Sequence, residues 1–194
     1  MMNLVKISLV SFIFLLISIK QNNGERGFEI LMDSYNCSSN PNYAIAHVCY
    51  LNKTFYPAQA FFDIHIQHDI QKLQYSWVLF LIRNKSNKRR KLLHVKNMNA
   101  CEFLAGISPV PLLRIFRDIM LDYGTMPLKC PIKKDSKFLF DGLIVDSEKF
   151  PPYVPETKFE GTVNLTSGKH FVFAVSGYGQ IMQKTNIHDE EEIS

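Results

Sequence analysis

The sequence predicts an antiparallel β-sandwich of seven or eight strands with a single amphipathic helix. Short segments in which apolar and polar residues alternate recur along most of the chain, as half-buried strands require. Polar turn segments separate these strands, and only residues 100–132 show the spacing of three and four residues that a helix requires. Many short strands with few helices are typical of two packed antiparallel sheets.

The N-terminus predicts export from the cell. Residues 1–6 form a short basic segment, and residues 7–19, ISLVSFIFLLISI, form an unbroken apolar run. A membrane-spanning helix needs about 20 apolar residues, so this shorter run is typical of a secretory signal peptide. We place the signal peptide at residues 1–24, with an uncleaved signal-anchor as the alternative.

The rest of the chain suits one secreted, extracellular domain. This domain is predicted over residues 25–186, and an acidic, disordered tail over residues 187–194. No later apolar run is long enough for a transmembrane span. Removing Lys6 and Lys20 with the signal peptide leaves 20 basic residues (22 less 2) against 18 acidic residues, a net charge of +2. This balance gives no reason to expect a nucleic-acid partner.

The first three strands are predicted from alternation. Residues 27–32 and 44–51 flank the turn-forming sequence SSNPN, which predicts a hairpin. Residues 61–67, FFDIHIQ, alternate strictly, which predicts a strand with one solvated face. Phe62 lies on the apolar face of this strand.

The strand at residues 75–83, YSWVLFLIR, is apolar on both faces. One face carries Trp77, Leu79 and Leu81, and the opposite face carries Val78, Phe80 and Ile82. Such a strand is buried on both faces, or one of its faces meets a ligand or a partner. The polar, basic segment at residues 84–91 predicts an exposed hairpin tip.

Three further strands are predicted near the C-terminus, at residues 137–146, 158–166 and 169–177. The last two are separated by Ser167-Gly168, which predicts a hairpin with a short turn. Residues 150–155, FPPYVP, cannot form a central strand, because proline has no backbone N–H to donate.

The helix is predicted to begin at Pro109 or Pro111, since a missing N–H is tolerated in the first turn. Gly124 is predicted to end it in a left-handed cap. Its apolar stripe consists of Leu112, Ile115, Phe116, Ile119, Met120 and Tyr123. The stripe has two explanations, a helix that closes an ordinary core or a lid over an apolar cavity, and periodicity does not separate them.

Four cysteines in an exported chain predict two disulfides. Of the three possible connectivities, sequence order favours Cys37–Cys49 and Cys101–Cys130. A zinc site is the rival explanation, although no C-x-x-C or paired-histidine spacing occurs.

Four N-x-[ST] triplets fit the secretory route. We predict glycosylation at Asn52, Asn84 and Asn164. Asn36 is the weakest candidate, because the middle residue of its triplet is a cysteine expected to be bonded.

The sequence gives no support for catalysis. Ser176 lacks the preceding glycine of a G-x-S-x-G nucleophile elbow, and no H-E-x-x-H segment occurs. His65 and His68 have a spacing that places them on opposite faces of a strand. We therefore predict no catalytic residue, no metal site and no cofactor.

The order of the cysteine segments resembles a known family. The segments YNCSSN, VCYLN, MNACEFL and LKCPI are similar to those of a large group of secreted insect proteins that includes the CheB chemosensory proteins. These proteins are similar to the lipid-recognition (ML) fold of the ganglioside activator and the myeloid-differentiation lipopolysaccharide co-receptor. The family segment N-x-x-x-C-x-F/Y-L is matched by Asn97 or Asn99, Cys101, Phe103 and Leu104. Its later H-x-C-P step is matched by Cys130 and Pro131.

One departure concerns the last hairpin. The family carries a P-x-G-x-Y step there, whereas this chain has residues 155–159, PETKF. Phe159 takes the position of the tyrosine.

The resemblance implies an immunoglobulin-like, ML-type sandwich without a cofactor that binds a lipid or other small apolar molecule between its two sheets. In some members this serves taste or pheromone detection, which implies a chemosensory receptor as a partner. The alternative is a secreted protein–protein interaction module or receptor co-factor with a filled core, which uses the outer face of strand 75–83. A hydrolase is a third and weaker hypothesis. We expect the ligand pocket to be lined by Phe62, Trp77, Leu79, Phe103, Leu104, Ile115, Phe116, Ile119, Phe140 and Phe173.

Overall fold

Two antiparallel sheets pack face to face in a computed structural model that describes residues 26–84 and 86–184. The predicted signal peptide at residues 1–24 and the predicted tail at residues 187–194 lie outside the described residues. The predicted immunoglobulin-like antiparallel β-sandwich is confirmed.

The larger sheet has five strands and the smaller sheet has four, all paired antiparallel. In spatial order, the larger sheet consists of β1 (Phe28–Ser39), β9 (His170–Gln183), β8 (Thr157–Ser167), β4 (Gln74–Ile82) and β5 (Arg89–Asn99). The smaller sheet consists of β2 (Ala44–Asn52), β3 (Gln59–Ile66), β7 (Lys137–Leu143) and β6 (Gly124–Thr125).

The predicted hairpin between the first two strands is wrong. β1 pairs with β9, and β2 pairs with β3, so the two strands belong to different sheets. The turn after Ser39 carries the chain across the sandwich, and the Asn40 carbonyl accepts hydrogen bonds from the N–H groups of Tyr43 and Ala44. Turn residues mark where a strand ends, but they do not choose its partner.

The other two predicted hairpins are present. β4 pairs with β5 around the tip that carries the exposed Asn84. β8 pairs with β9, but Ser167 is the last residue of β8 and pairs with His170. The turn is therefore Gly168-Lys169, one residue later than predicted, and Gly168 has a φ of 60° there, a value that favours glycine.

Two α-helices lie between β5 and β6, where the sequence predicted one. The predicted helix is α2 (Pro111–Asp122), with its proline in the first turn. The unpredicted α1 (Ala100–Leu104) is capped by Asn99, whose side chain accepts from the Cys101 N–H at 3.0 Å and donates to Glu102 at 3.1 Å. Five residues are too few to show helical periodicity. A 3₁₀ helix, Ser147–Lys149, follows β7.

Gly124 does not form the predicted left-handed cap. Tyr123 ends α2 with φ −109° and ψ 4°, and Gly124 is already in β6, paired with Phe140. A Cβ on Gly124 would collide with the Leu139 carbonyl oxygen. Glycine is therefore needed for the close approach of two strands.

Candidate functional site: an apolar cavity between the sheets

A cavity of about 550 Å³ lies between the two sheets. Interior voids are normally few and small, and this volume is within the ~300–1,000 Å³ of small-molecule sites. The larger sheet contributes Trp77, Leu79 and Val163 to the wall, and the smaller sheet contributes Phe62 and Phe140. The two sheets therefore pack directly against each other at the buried core clusters and leave a void between those clusters.

Helix α2 covers this cavity. Leu113, which is completely buried in the main core, anchors its first half, and Ile119, buried in a second cluster, anchors its second half. Between these anchors Phe116 contributes to the cavity wall, with its ring centroid 4.9 Å from that of Trp77 and 5.8 Å from that of Phe150. The amphipathic pattern thus places one face of the helix over the void.

Both predicted disulfides are present, and no cysteine is free. Cys101 in α1 is bonded to Cys130 after β6, so the bond spans the segment that contains α2. Cys37 in β1 is bonded to Cys49 in β2, which ties the two sheets together. The Arg117 Nε also donates to the Leu104 carbonyl at 3.0 Å. These links fix the helix relative to the sheets.

Two neighbouring glycines form a recess in the cavity wall. Gly161 on β8 pairs with Gly177 on β9, and both line the cavity. A Cβ on Gly161 would lie 3.3 Å from Leu79 Cδ1 and 3.9 Å from Trp77 Nε1. A Cβ on Gly177 would lie 2.6 Å from the Met32 methyl. The missing side chain at Gly161 therefore leaves space beside Trp77, whereas the Met32 methyl occupies the place that a Gly177 side chain would take.

The cavity reaches the surface beside the segment that follows the 3₁₀ helix. Tyr153 is 92% exposed and Leu92 is 55% exposed, and both also line the cavity. Pro151 and Pro155 lie in the same wall. Lining residues that are also exposed mark a mouth, so a ligand has a route to the interior. The predicted exclusion of residues 150–155 from a central strand is confirmed.

The cavity wall carries no charge. Among the described lining residues, polar side-chain atoms belong only to tyrosines and to Trp77. Burial raises the pKa of the Tyr35 hydroxyl far above its ordinary value. Burial also raises the pKa of Tyr75 above its ordinary value. Both phenols therefore stay protonated at any physiological pH.

Nine of the ten residues predicted for the pocket line the cavity, namely Phe62, Trp77, Leu79, Phe103, Leu104, Phe116, Ile119, Phe140 and Phe173. Ile115 does not, because it packs against the second cluster around Phe28 and Phe150. Ligand contact by any of them stays a prediction. The wall also contains Tyr35, the two glycines and most of the segment 150–155, which were not predicted for the pocket. Of these, only residues 150–155 could have been found from the sequence, because they form an apolar segment that is too rich in proline for a strand.

The predicted glycosylation sites lie away from the cavity. Asn84 is exposed at the β4–β5 tip and Asn164 is exposed on β8. Asn52 ends β2, and its Oδ1 accepts from the Thr54 hydroxyl at 2.7 Å. None of the three lines the cavity, and glycosylation stays a prediction.

The aromatic ring on the outer face of β4, that of Phe80, is covered by charged side chains. Val78, Phe80 and Ile82 are only partly exposed. The Arg89 guanidinium lies 4.5 Å from the centroid of the Phe80 ring and pairs with Glu160 at 2.6 Å. This face is therefore not an open apolar surface.

A small polar cluster lies on the outer face of the smaller sheet. The His65 Nε2 is 2.9 Å from the Asp63 Oδ1, and the His47 and His65 ring centroids are 4.3 Å apart. Within residues 26–84 and 86–184, no group of three or more His, Cys, Asp or Glu side chains is placed to hold a metal ion. Over the same ranges, no helix has the length and hydropathy needed to cross a membrane.

Comparisons with known proteins give a matching family model and six similar chains of solved structures. The family described as "Protein of unknown function (DUF1091)" matches residues 77–161, less than half of the chain. A Niemann-Pick type C2 protein from the Japanese carpenter ant aligns over 78% of this chain and 92% of that chain, at 14% sequence identity and a TM-score of 0.29. No curated protein matches the sequence.

Proposed function

We propose that the protein binds one small apolar molecule, such as a lipid, in the cavity between its sheets. The observation that supports this most strongly is the uncharged void of about 550 Å³ beneath an anchored helix. Its mouth is beside Tyr153 and Leu92. Nothing in the wall suggests bond-breaking chemistry, so the proposed role is binding without catalysis.

The volume sets the size of the ligand. At roughly 30 Å³ for each water-sized group, 550 Å³ holds about 18 such groups. Burying a chain of about fifteen carbons at ~0.8 kcal/mol for each CH₂ yields roughly 12 kcal/mol. Association costs of at least ~4 kcal/mol leave at most about 8 kcal/mol, so a dissociation constant of about 1 μM is the tightest expected.

We further propose that the protein is secreted and binds its ligand as proteins of the lipid-recognition (ML) fold do. In this proposal it carries the ligand outside the cell and presents it to a chemosensory receptor. The paired cysteines support the first part, because disulfides persist in oxidising compartments. The apolar run at residues 7–19 supports it as well. The resemblance to the CheB proteins is the support for the receptor. The alternative interaction module requires a filled core, and the void disfavours it.

Binding of a fluorescent lipid probe tests the proposal. The wild-type protein is expected to enhance the emission of N-phenylnaphthylamine with micromolar affinity. Phe116→Arg introduces a charge into the cavity wall and is expected to abolish this signal. Asp118→Arg is the matched control on the exposed face of α2, and it should bind the probe as the wild type does. Absence of binding by the wild-type protein, or equal binding by both variants, contradicts the proposal.

A further inference from the structure

The recess at Gly161 and Gly177 has a hydrogen-bond donor on each side. Across the larger sheet, Tyr35 pairs with Gly177, Gly177 with Gly161, and Gly161 with Leu79. Tyr35 therefore lies at the β1 side of the recess. Trp77 lies at the β4 side, with its Nε1 3.9 Å from the position a Gly161 Cβ would take.

Neither donor has a hydrogen-bond partner among the described residues. The Tyr35 hydroxyl and the Trp77 indole N–H form no hydrogen bond with any described residue, although both side chains line the cavity. Both side chains are partly buried and belong to an otherwise apolar wall, so a polar atom of a ligand is a partner that the cavity can supply. Two unsatisfied donors beside the same glycines are therefore a feature that a ligand can explain.

The chemistry of the complementary group follows from these donors. An indole N–H can only donate, and a protonated phenol donates readily to a carbonyl or hydroxyl oxygen. A carboxylate would also accept, but no cation lines the described wall to compensate its charge. An uncharged oxygen fits the site best.

We propose that the recess formed by Gly161 and Gly177 binds an uncharged oxygen atom of the ligand, with Tyr35 and Trp77 as donors. The ligand is thus a neutral lipid of the ketone, ester or alcohol class. This inference rests on the proposed function, because it assumes a ligand in the cavity. The missing side chain at Gly161 gives the oxygen-bearing carbon access to the sheet beside the Trp77 Nε1, and the Met32 methyl lies over Gly177 on the Tyr35 side.

Three probes of equal chain length test this proposal: pentadecane, diheptyl ketone and pentadecanoic acid. Each displaces N-phenylnaphthylamine from wild-type protein, Tyr35→Phe, Trp77→Phe and the control Tyr50→Phe. Tyr50 is a suitable control because it is 49% exposed and stacks on Phe61 outside the cavity. Urea unfolding of each variant verifies that its fold is retained.

We expect Tyr35→Phe and Trp77→Phe each to weaken the binding of the ketone by about five- to tenfold, the effect of one lost hydrogen bond. Pentadecane binding should change less than about twofold in every variant, and Tyr50→Phe should change neither. At pH 8 the acid should bind more weakly than the ketone. Unchanged ketone binding in both cavity variants, or an acid that binds as well as the ketone, would overturn the inference. If pentadecane itself does not bind the wild-type protein, the proposed function fails instead.

Discussion

Filling the glycine recess should shorten the longest ligand that the protein holds. Gly161→Leu adds four carbons at a position that lines the cavity. The new Cβ would lie 3.3 Å from Leu79 Cδ1, the mobile end of a side chain that can move by a few tenths of an ångström. A strand position tolerates leucine better than glycine, so the variant is expected to fold.

The magnitude follows from the volume. Four carbons at roughly 30 Å³ each occupy about 120 Å³, about one fifth of the 550 Å³ cavity. A chain that fills the wild-type cavity would lose the burial of about four CH₂ groups, or roughly 3 kcal/mol, which is about a hundredfold in affinity. A chain shorter by four or more carbons should bind both proteins equally.

A series of n-alkanes and dialkyl ketones of increasing length measures this limit by probe displacement. Thr162→Leu is the control, because Thr162 is the next residue of β8 and does not line the cavity. In this control the length dependence should match that of the wild type. The reasoning is refuted if Gly161→Leu leaves the longest bound chain unchanged, or if Thr162→Leu shortens it equally.

Three further predictions concern the scaffold. Leu113→Ala truncates a completely buried anchor of α2. It should lower the free energy of unfolding, measured by urea titration, by about 3 kcal/mol, and a loss below ~1 kcal/mol would mean that α2 is not anchored there. Replacing Cys101 and Cys130 together by serine opens a loop with a sequence separation of 29 residues. By the loop-entropy relation this should lower the free energy of unfolding by about 3.5 kcal/mol. An unchanged midpoint in a urea titration would contradict this expectation. Asp69 has its pKa lowered by the backbone N–H of Lys134. Its contribution to stability is therefore present above its unfolded pKa and is lost as the pH falls through its folded pKa. Asp69→Asn should be less stable than wild type at pH 6, and the gap should shrink as the pH falls below about 4; a gap that is constant with pH would contradict this.

Local patterns in the sequence were sufficient to predict the faces of individual elements. The alternation of apolar and polar residues placed Phe62 on the face of β3 that points between the sheets, and the spacing of apolar residues placed Phe116 on the buried side of α2. These features depend only on the repeat of a strand or a helix. Sequence order also gave the disulfide pairs, because each pair joins consecutive cysteines.

Features that depend on distant residues could not be predicted in the same way. The partner of β1 is the last strand of the chain, so no local signal identifies it. The position of Gly124 after the helix predicts a cap, whereas its role comes from the carbonyl of Leu139 in a neighbouring strand. The recess exists only because Gly161 and Gly177 meet in register across two strands. The local sequence around either glycine does not indicate that the two residues are paired across β8 and β9.

Native mass spectrometry tests most directly whether the interior carries an apolar molecule. The protein would be produced through a secretory pathway, purified without detergent and measured before and after extraction with organic solvent. We predict an added mass of one small neutral lipid that disappears on extraction and returns on incubation with diheptyl ketone. A single apo mass before extraction, together with no uptake of the ketone or of pentadecane afterwards, would contradict the central claim.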